Sequence, residues 1–227
     1  MAEMAYSAPI LTGKRLSSEE VLAIQRQKIL AAAVVALDEL GYERVTVAAI
    51  IARARVSRGA FYDQFADRDE CLADALDEGV ARIVAALEAA RVDVLDWVQQ
   101  VTAGVAVVFD FFDRQPSLAR VLVIESLRGG PQLLARRAVM LERLAAFLDQ
   151  GPDRGPRFAA VTGEVLVGAA FSVVHRRLLR GDGELASIAD ELSRTLLMGH
   201  LEGTSATAPG EGAVRNRRRR RSLVAVA

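Results

Sequence analysis

The chain is poor in the residues on which several classes of protein depend. Its 227 residues include one cysteine, six prolines and 5% aromatic residues. A single thiol, Cys71, excludes a disulfide within the chain and fits a reducing cytoplasm. No apolar run reaches the roughly 18 residues that a membrane span needs. The N-terminal segment carries an acid at Glu3 and lacks the unbroken apolar core of a signal peptide. We therefore expect a soluble, cytoplasmic protein with no membrane association.

Patterns that carry catalysis or bind cofactors are also missing. The two histidines, His175 and His200, lack HExxH spacing and have no cysteine nearby. No GxSxG, GxxxxGK or strand-associated GxGxxG occurs in the chain. Paired acids such as Asp67 and Asp69 have the spacing of helix caps rather than of a catalytic pair. We expect no enzyme, no cofactor and no metal site.

The residues that are abundant favour helices. Ala, Leu, Val and Arg dominate a chain that is 52% hydrophobic, and apolar residues recur at helical spacing. Two capping boxes, Ser17-x-x-Glu20 and Asp67-x-x-Glu70, mark helix starts, and Gly41 is suited to end the first helix. The sequence predicts an all-α fold. The expected helices cover 17–41, 47–54, 57–65, 67 to beyond 87, 93–114, 116–128, 131–149, 155–180 and 184–200.

The formal net charge of zero conceals two basic poles on an acidic body. One pole is the run from Arg44 to Tyr62, which contains no acid, and the other is the cluster RNRRRRR from Arg215 to Arg221. Between Cys71 and Val214, 14 basic residues face 19 acidic ones, a net charge of −5. Charge segregated in this way indicates local contact with an anion.

The first basic pole has the pattern of a helix-turn-helix, two short helices joined by a tight turn and packed on a longer one. In residues 51–65, IARARVSRGAFYDQF, Phe61 and Phe65 are four apart and are expected to point inward. Small, basic and polar residues then face outward, as a recognition helix in the DNA major groove requires. Arg58 could bond guanine in a bidentate manner, and Tyr62 could reach a phosphate or a thymine methyl. A solvated helix face is the alternative for such a charge run.

The order of residues from about Ile29 to Leu76 resembles the DNA-binding domain of the TetR family. The resemblance rests on the elements Gly41-Tyr42, Val45-Thr46, Ile50, Ala54, Val56-Ser57, Gly59, Phe61-Tyr62, Phe65 and the charged segment from Arg68 to Leu72. It implies a three-helix DNA reader followed by a helical ligand-binding and dimerisation domain. It also implies a homodimer, whose last two helices pair with those of the twofold mate and whose symmetry suits a palindromic operator.

The resemblance indicates which residues would contact DNA. A turn position that is usually Gly in the family is Arg55 here, at a cost of about 1 kcal/mol if it adopts positive φ. Ala60 stands where a hydroxyl residue is common, so we expect one phosphate or base contact to be missing. Lys14 and Arg15 could enter a minor groove as an arm, and Arg68 could clamp a phosphate at a helix N-terminus. The candidate DNA-binding residues are Lys14, Arg15, Thr46, Arg55, Ser57, Arg58, Gly59, Ala60, Tyr62, Asp63 and Arg68.

A pocket for a small apolar effector is expected among the segments from about 80 to 180. Aromatic residues would supply its walls, and Glu125 and Arg128 are polar candidates near a helix end. The candidate ligand-binding residues are Trp97, Phe109, Phe112, Glu125, Arg128, Phe171 and His175. Each aromatic residue has core packing as its alternative role, and His175 has that of a surface residue or one with its hydrogen bonds satisfied.

These observations together predict the organisation of the chain and its function. Residues 1–17 would form an N-terminal arm, 18–66 the helix-turn-helix domain, 67–201 the ligand-binding and dimerisation domain, and 202–227 a disordered basic tail. The expected function is a ligand-responsive, DNA-binding transcriptional regulator. It would be a repressor that binds double-stranded DNA as a dimer and is released by a small apolar molecule. A helical interaction or scaffold protein that does not read DNA is the alternative.

Overall fold

The computed structural model describes residues 17–90, 96–148 and 162–205, and every regular element in these ranges is helical. This confirms the predicted all-α class. The α-helices are α1 (Ser18–Leu40), α2 (Val47–Ala54), α3 (Arg58–Tyr62), α4 (Arg68–Ala89), α5 (Trp97–Arg114), α6 (Pro116–Arg120), α7 (Ser126–Arg128), α8 (Pro131–Leu148), α9 (Thr162–Arg180) and α10 (Ala189–Ser205). A π-helical segment, Val121–Glu125, joins α6 to α7, and a 3₁₀ turn, Leu185–Ile188, precedes α10.

Side-chain caps set the ends of the first helices. The Ser17 hydroxyl accepts from the Glu20 N–H at 3.1 Å, and the Glu20 carboxylate accepts from the Ser17 N–H at 2.7 Å, which confirms the predicted capping box. Gly41 ends α1 at φ 73°, a conformation that a residue with a Cβ rarely adopts. Asp67 caps α4 as predicted, but the Glu70 carboxylate accepts from the Ala66 N–H rather than from that of Asp67.

The turn between α2 and α3 places a non-glycine residue in the left-handed region. Arg55 adopts φ 55° and ψ 44°, the conformation for which a cost was expected, and its backbone N–H donates to the Ile51 carbonyl. Phe61 and Phe65 are both buried, and their ring centroids lie 5.4 Å apart. The third helix is shorter than the predicted 57–65, because the chain after Tyr62 turns to carry Phe65 into the core.

A continuous apolar core extends from α1–α3 into α4–α9. The division into two domains therefore stays a prediction. A smaller cluster joins α5 to α9 and α10 and consists of Trp97, Val101, Leu166 and Leu197. Within the described ranges no helix is both long and apolar enough to cross a bilayer, and no group of His, Cys, Asp or Glu side chains is placed to hold a metal ion.

The structure corrects several predicted helix bounds. The helix predicted over 116–128 is interrupted by the π-helical segment, in which the Ser126 N–H donates to the Val121 carbonyl. The helix expected from residue 93 begins at Trp97, where the Asp96 side chain caps it. The last helix is preceded by a 3₁₀ turn and continues to Ser205, past its predicted end at residue 200. The predicted arm lies outside the described residues except for Ser17, and so does the tail from residue 206 onward.

Cys71 is fully buried in α4, and burial raises the pKa of its thiol to about 12, with Asp74 adding to the rise. We expect the native protein not to react with iodoacetamide at pH 8, because the thiolate is the nucleophile and burial suppresses it. The same thiol should react once the chain is unfolded in guanidinium chloride. Mass spectrometry of the alkylated protein measures both states, and rapid modification of the folded chain would contradict the prediction.

Candidate DNA-reading face and apolar cavity

An exposed face on α3 brings together two of the residues predicted to read DNA. The Arg58 guanidinium lies 5.5 Å from the centroid of the Tyr62 ring, and both side chains are exposed. Ser57 caps the helix, since its hydroxyl accepts from the Ala60 N–H at 3.1 Å. A Cβ at Gly59 would meet only the Ser57 hydroxyl, at 3.8 Å, so the face is open at that position. We call Ser57, Arg58, Gly59 and Tyr62 the reading face.

The other candidate DNA-binding residues near the reading face differ in exposure and in the hydrogen bonds of their side chains. Thr46 caps α2 through the Ala49 N–H, at 3.1 Å, and is exposed. Arg55 and Asp63 are exposed, whereas Ala60 is half-buried. Lys14 and Arg15 lie outside the described residues.

Arg68 holds the loop that leads into α2. Its guanidinium donates to the Tyr42 and Val45 carbonyls, both at 3.1 Å, and pairs with Asp69 at 2.8 Å. It also lies 4.6 Å from the centroid of the Tyr42 ring. These bonds give Arg68 a structural role at the start of the helix-turn-helix. Its phosphate contact stays a prediction.

A buried glutamate connects this same loop to the rest of the molecule. Glu125, at the end of the π-helical segment, is 3% exposed. Its carboxylate accepts from the Tyr42 N–H at 3.2 Å and from the Arg128 guanidinium at 2.8 Å. A Cβ at Gly130 would lie 2.8 Å from the Tyr42 hydroxyl, so the tyrosine ring also abuts the turn before α8. We call Tyr42, Arg68, Glu125 and Gly130 the joint.

The π-helical segment is held from its other side by Arg137 of α8. The guanidinium donates to the Leu122 carbonyl and to the Ser126 hydroxyl, both at 3.0 Å, and lies 5.6 Å from the centroid of the Phe171 ring. Burial lowers the pKa of Arg137 from its usual value, but an arginine stays charged at neutral pH. Arg137 therefore links α9 to the segment that ends at Glu125.

Phe171 also faces a cavity of about 70 Å³ that lies between α4, α5, α8, α9 and α10. All the residues that line it are apolar: Leu87, Val101, Gly104, Val105, Val108, Phe109, Leu144, Leu166, Val167, Ala170, Phe171 and Leu196. The volume corresponds to about two water molecules. An apolar molecule of ordinary ligand size would have to push these helices apart to enter.

The structure separates the ligand-binding candidates into different places. Phe109 and Phe171 line the cavity. Trp97 and Phe112 are buried but do not line it, and His175 is half-buried on α9. Glu125 of the joint pairs with Arg128, and neither residue lines the cavity.

Sequence reasoning missed most of the lining, because aliphatic residues in the cavity have the same spacing as those in the core. One signal was available in Gly104, a glycine within an otherwise apolar helix. Sequence reasoning also missed Arg137, which has no local pattern to distinguish it from the exposed arginine beside it, Arg136.

Comparison with known proteins places the helix-turn-helix in a family. Residues 29–75 match the family described as bacterial regulatory proteins, tetR family. A 150-residue stretch is 29% identical to the A-factor receptor protein of Streptomyces griseus. The match covers 63% of this chain and spans 50% of the length of that relative.

Solved structures share the helical arrangement over about three quarters of this chain. The regulator FadR of Bacillus subtilis, solved in complex with stearoyl-CoA, has a TM-score of 0.69 and 18% identity, and the match covers 76% of this chain and 98% of that one. The fatty acid degradation regulator FadR of Bacillus halodurans has a TM-score of 0.67 and 20% identity over the same shares of the two chains. At these identities the likeness shows the fold. Residues 29–75 thus match the helix-turn-helix of the tetR family of bacterial regulatory proteins, and the chain shares the fold of these solved regulators.

Proposed function

We propose that the protein is a dimeric repressor that binds a palindromic operator and is released when a small apolar molecule enters the cavity. The reading face carries this proposal: an arginine and a tyrosine stand exposed on a short helix that two buried phenylalanines anchor. A rigidly held helix with exposed donors is what base readout in the major groove requires. The entirely apolar lining of the cavity favours an apolar effector.

The cavity is connected through side chains to the loop that leads into α2, the helix before the reading face. An effector that widened the cavity would displace Phe171, on which the Arg137 guanidinium lies. Arg137 holds the π-helical segment, and Glu125 at the end of that segment holds the Tyr42 N–H. Arg68 then fixes the loop from Tyr42 to Val45 that leads into α2.

These successive contacts support a mechanism in which ligands shift the populations of two conformations of the protein. Two positions of the head relative to the cavity would bind DNA and effector with different affinities, and each ligand would weaken the other by the same factor. Interrupted helices of the π type occur often at functional sites. The π-helical segment lies between the cavity and the joint, where such a two-state element is needed.

Glu125→Ala tests the joint. We expect it to lower the free energy of unfolding by about 1–3 kcal/mol, because the Tyr42 N–H loses its partner in a half-buried place. Hydrogen exchange of the amides from Tyr42 to Ala49 should become faster. Denaturant titration and exchange mass spectrometry measure the two effects.

Two further variants serve as comparisons for Glu125→Ala. Glu125→Gln keeps an acceptor for Tyr42 and loses only the charge opposite Arg128, which is largely exposed, so its cost should be about 0–1 kcal/mol. Glu142→Ala removes an exposed glutamate of α8 and should change neither measurement. If Glu125→Ala behaves like Glu142→Ala, the joint does not hold the loop.

DNA binding itself is tested by fluorescence anisotropy with the duplex upstream of the protein's own gene. We expect saturable binding as a dimer that an unrelated duplex does not compete away at equal concentration. Equal affinity for both duplexes would favour the alternative, a helical interaction protein without sequence readout. Release is tested by adding apolar compounds to the complex with DNA and measuring whether they displace the protein. Activation of transcription by the bound protein would contradict repression.

The basic tail from Arg215 to Arg221 supplies a separate prediction. We expect deletion of Arg215–Ala227 to weaken binding to all duplexes alike, because arginines that lie along phosphates add affinity without reading sequence. The salt dependence should become shallower by roughly 0.9 log units of K per log unit of salt for each phosphate that the tail neutralises. Anisotropy at several salt concentrations measures both. Tighter binding after deletion would show that the tail covers the acidic body, and no change would show that it has neither role.

A further inference from the structure

A second cavity lies between α1, α4 and α6, on the α1 side of α4 and apart from the cavity that Phe171 lines. Its volume is about 300 Å³. Its floor is apolar and is formed by Leu30, Ala75 and Leu118. Three polar side chains surround it, Gln27 of α1 and Glu78 and Arg82 of α4. A volume near that of ten water molecules admits a ligand of about ten to fifteen non-hydrogen atoms.

The two charged side chains at this cavity do not neutralise each other. Glu78 precedes Arg82 by four residues, the spacing at which a helical ion pair is favoured. Four other glutamate or aspartate carboxylates in the described ranges do pair with arginines across elements. Within the described ranges, neither Glu78 nor Arg82 forms an ion pair. The Arg82 guanidinium instead lies 5.8 Å from the centroid of the Phe111 ring. A carboxylate and a guanidinium are thus both available at one cavity.

Close packing beneath the cavity shows that it is not a place where helices are loosely apposed. Gly79 of α4 faces α6, and a Cβ there would lie 2.8 Å from Leu118 and 3.4 Å from Leu122. The absence of a side chain at Gly79 lets α4 and α6 approach closely, and α1 is held to both by the Arg26–Asp74 and Asp38–Arg120 ion pairs.

We propose that this cavity binds a small ampholyte, a molecule that carries a carboxylate and an ammonium group on an apolar body, as a free apolar amino acid does. The carboxylate would pair with the Arg82 guanidinium, the ammonium with the Glu78 carboxylate, and the apolar body would cover Leu30 and Leu118. The Gln27 amide, which can donate and accept, would complete the polar contacts from α1.

A molecule in this cavity would contact both α1, which packs against α2 of the helix-turn-helix, and α6, which continues into the π-helical segment. It would therefore fix α1 relative to α4 and α6. The site goes beyond the proposed release by an apolar effector, since it is a separate cavity with a different ligand chemistry. Its test needs neither DNA nor that effector.

Isothermal titration calorimetry of the full chain tests the site with three related probes. L-phenylalanine carries both charges, phenethylamine lacks the carboxylate and 3-phenylpropionate lacks the ammonium. We expect phenylalanine to bind at millimolar concentration or below, and each relative to bind about tenfold more weakly or not at all. L-leucine, which has the same charges and a smaller apolar body, should also bind.

Matched variants locate the binding. Ala31 is an exposed lining residue, so Ala31→Phe should fill the cavity without disturbing the core and should abolish binding. Arg82→Met and Glu78→Gln should each weaken phenylalanine binding about tenfold, the loss of one charged hydrogen bond. Arg143→Met and Glu88→Gln, exposed charges away from the cavity, should leave it unchanged. A cooperative thermal unfolding transition shows that each variant is folded.

The proposal is overturned by any of three results. These are no binding of either amino acid at millimolar concentration, equal binding of the singly charged relatives, and undiminished binding in Ala31→Phe. Operator binding is measured separately, so failure of this site and failure of the proposed repressor function are distinguishable.

Discussion

Phe61→Ala is expected to unfold the helix-turn-helix while most of the body stays helical. The Phe61 side chain is fully buried, and its ring lies 5.4 Å from the rings of both Tyr62 and Phe65. Truncating a buried phenylalanine to alanine costs about 3–5 kcal/mol, the lost transfer energy plus that of the cavity left behind. That cost is a large part of the roughly 5–15 kcal/mol by which a whole domain is stable.

Hydrogen exchange measures where the variant unfolds, and denaturant titration measures by how much. We expect the amides of α2 and α3 to lose protection in Phe61→Ala while those of α8 and α9 keep theirs. Tyr62→Ala is the matched control, because it removes the neighbouring ring, which is 45% exposed, and should cost less than half as much. Equal destabilisation by the two variants would contradict the role of Phe61 as the anchor of α3.

The start and end of α1 could be predicted because local chemistry decides them. The Ser17–Glu20 box forms by bonds within four residues, and Gly41 ends α1 through its own backbone freedom. The strain expected at Arg55 has the same local origin, and this residue does adopt positive φ. These three features are fixed within one turn of helix, whereas the Asp67–Glu70 box forms only in part because the Glu70 carboxylate bonds the Ala66 N–H instead.

The joint and the cavity could not be predicted, because they depend on contacts between residues distant in sequence. Glu125 accepts from Tyr42, 83 positions earlier in the chain, and Arg137 lies on a ring of α9. Nothing near residues 121–125 marks the π-helical segment, which Arg137 supports from another helix. The aliphatic residues that line the cavity follow the helical period of core residues, so only the packing of several helices separates the two sets.

Arg58 pairs with Tyr62 on the exposed side of α3, where it is expected to contribute most to operator binding. Arg58→Ala is expected to weaken operator binding by roughly 1–3 kcal/mol per half-site, and twice that for a dimer on both half-sites. The guanidinium lies over the Tyr62 ring, which restricts its orientation before it meets a base and so reduces the entropy lost on binding. Tyr62→Phe keeps the ring under Arg58 and should therefore weaken binding less than Arg58→Ala.

Base reading is distinguished from general electrostatic attraction by comparing affinities for the operator and for a random duplex at one salt concentration. A base contact predicts that Arg58→Ala loses affinity for the operator, relaxes the preference at one base pair of each half-site and changes random binding little. Arg53→Ala is the matched control, because Arg53 is an arginine of α2 engaged with Glu39 and with the Ala49 carbonyl. Its removal should affect both duplexes alike. If Arg58→Ala binds both duplexes as the wild type does, Arg58 does not read a base, and another part of α3 faces the groove.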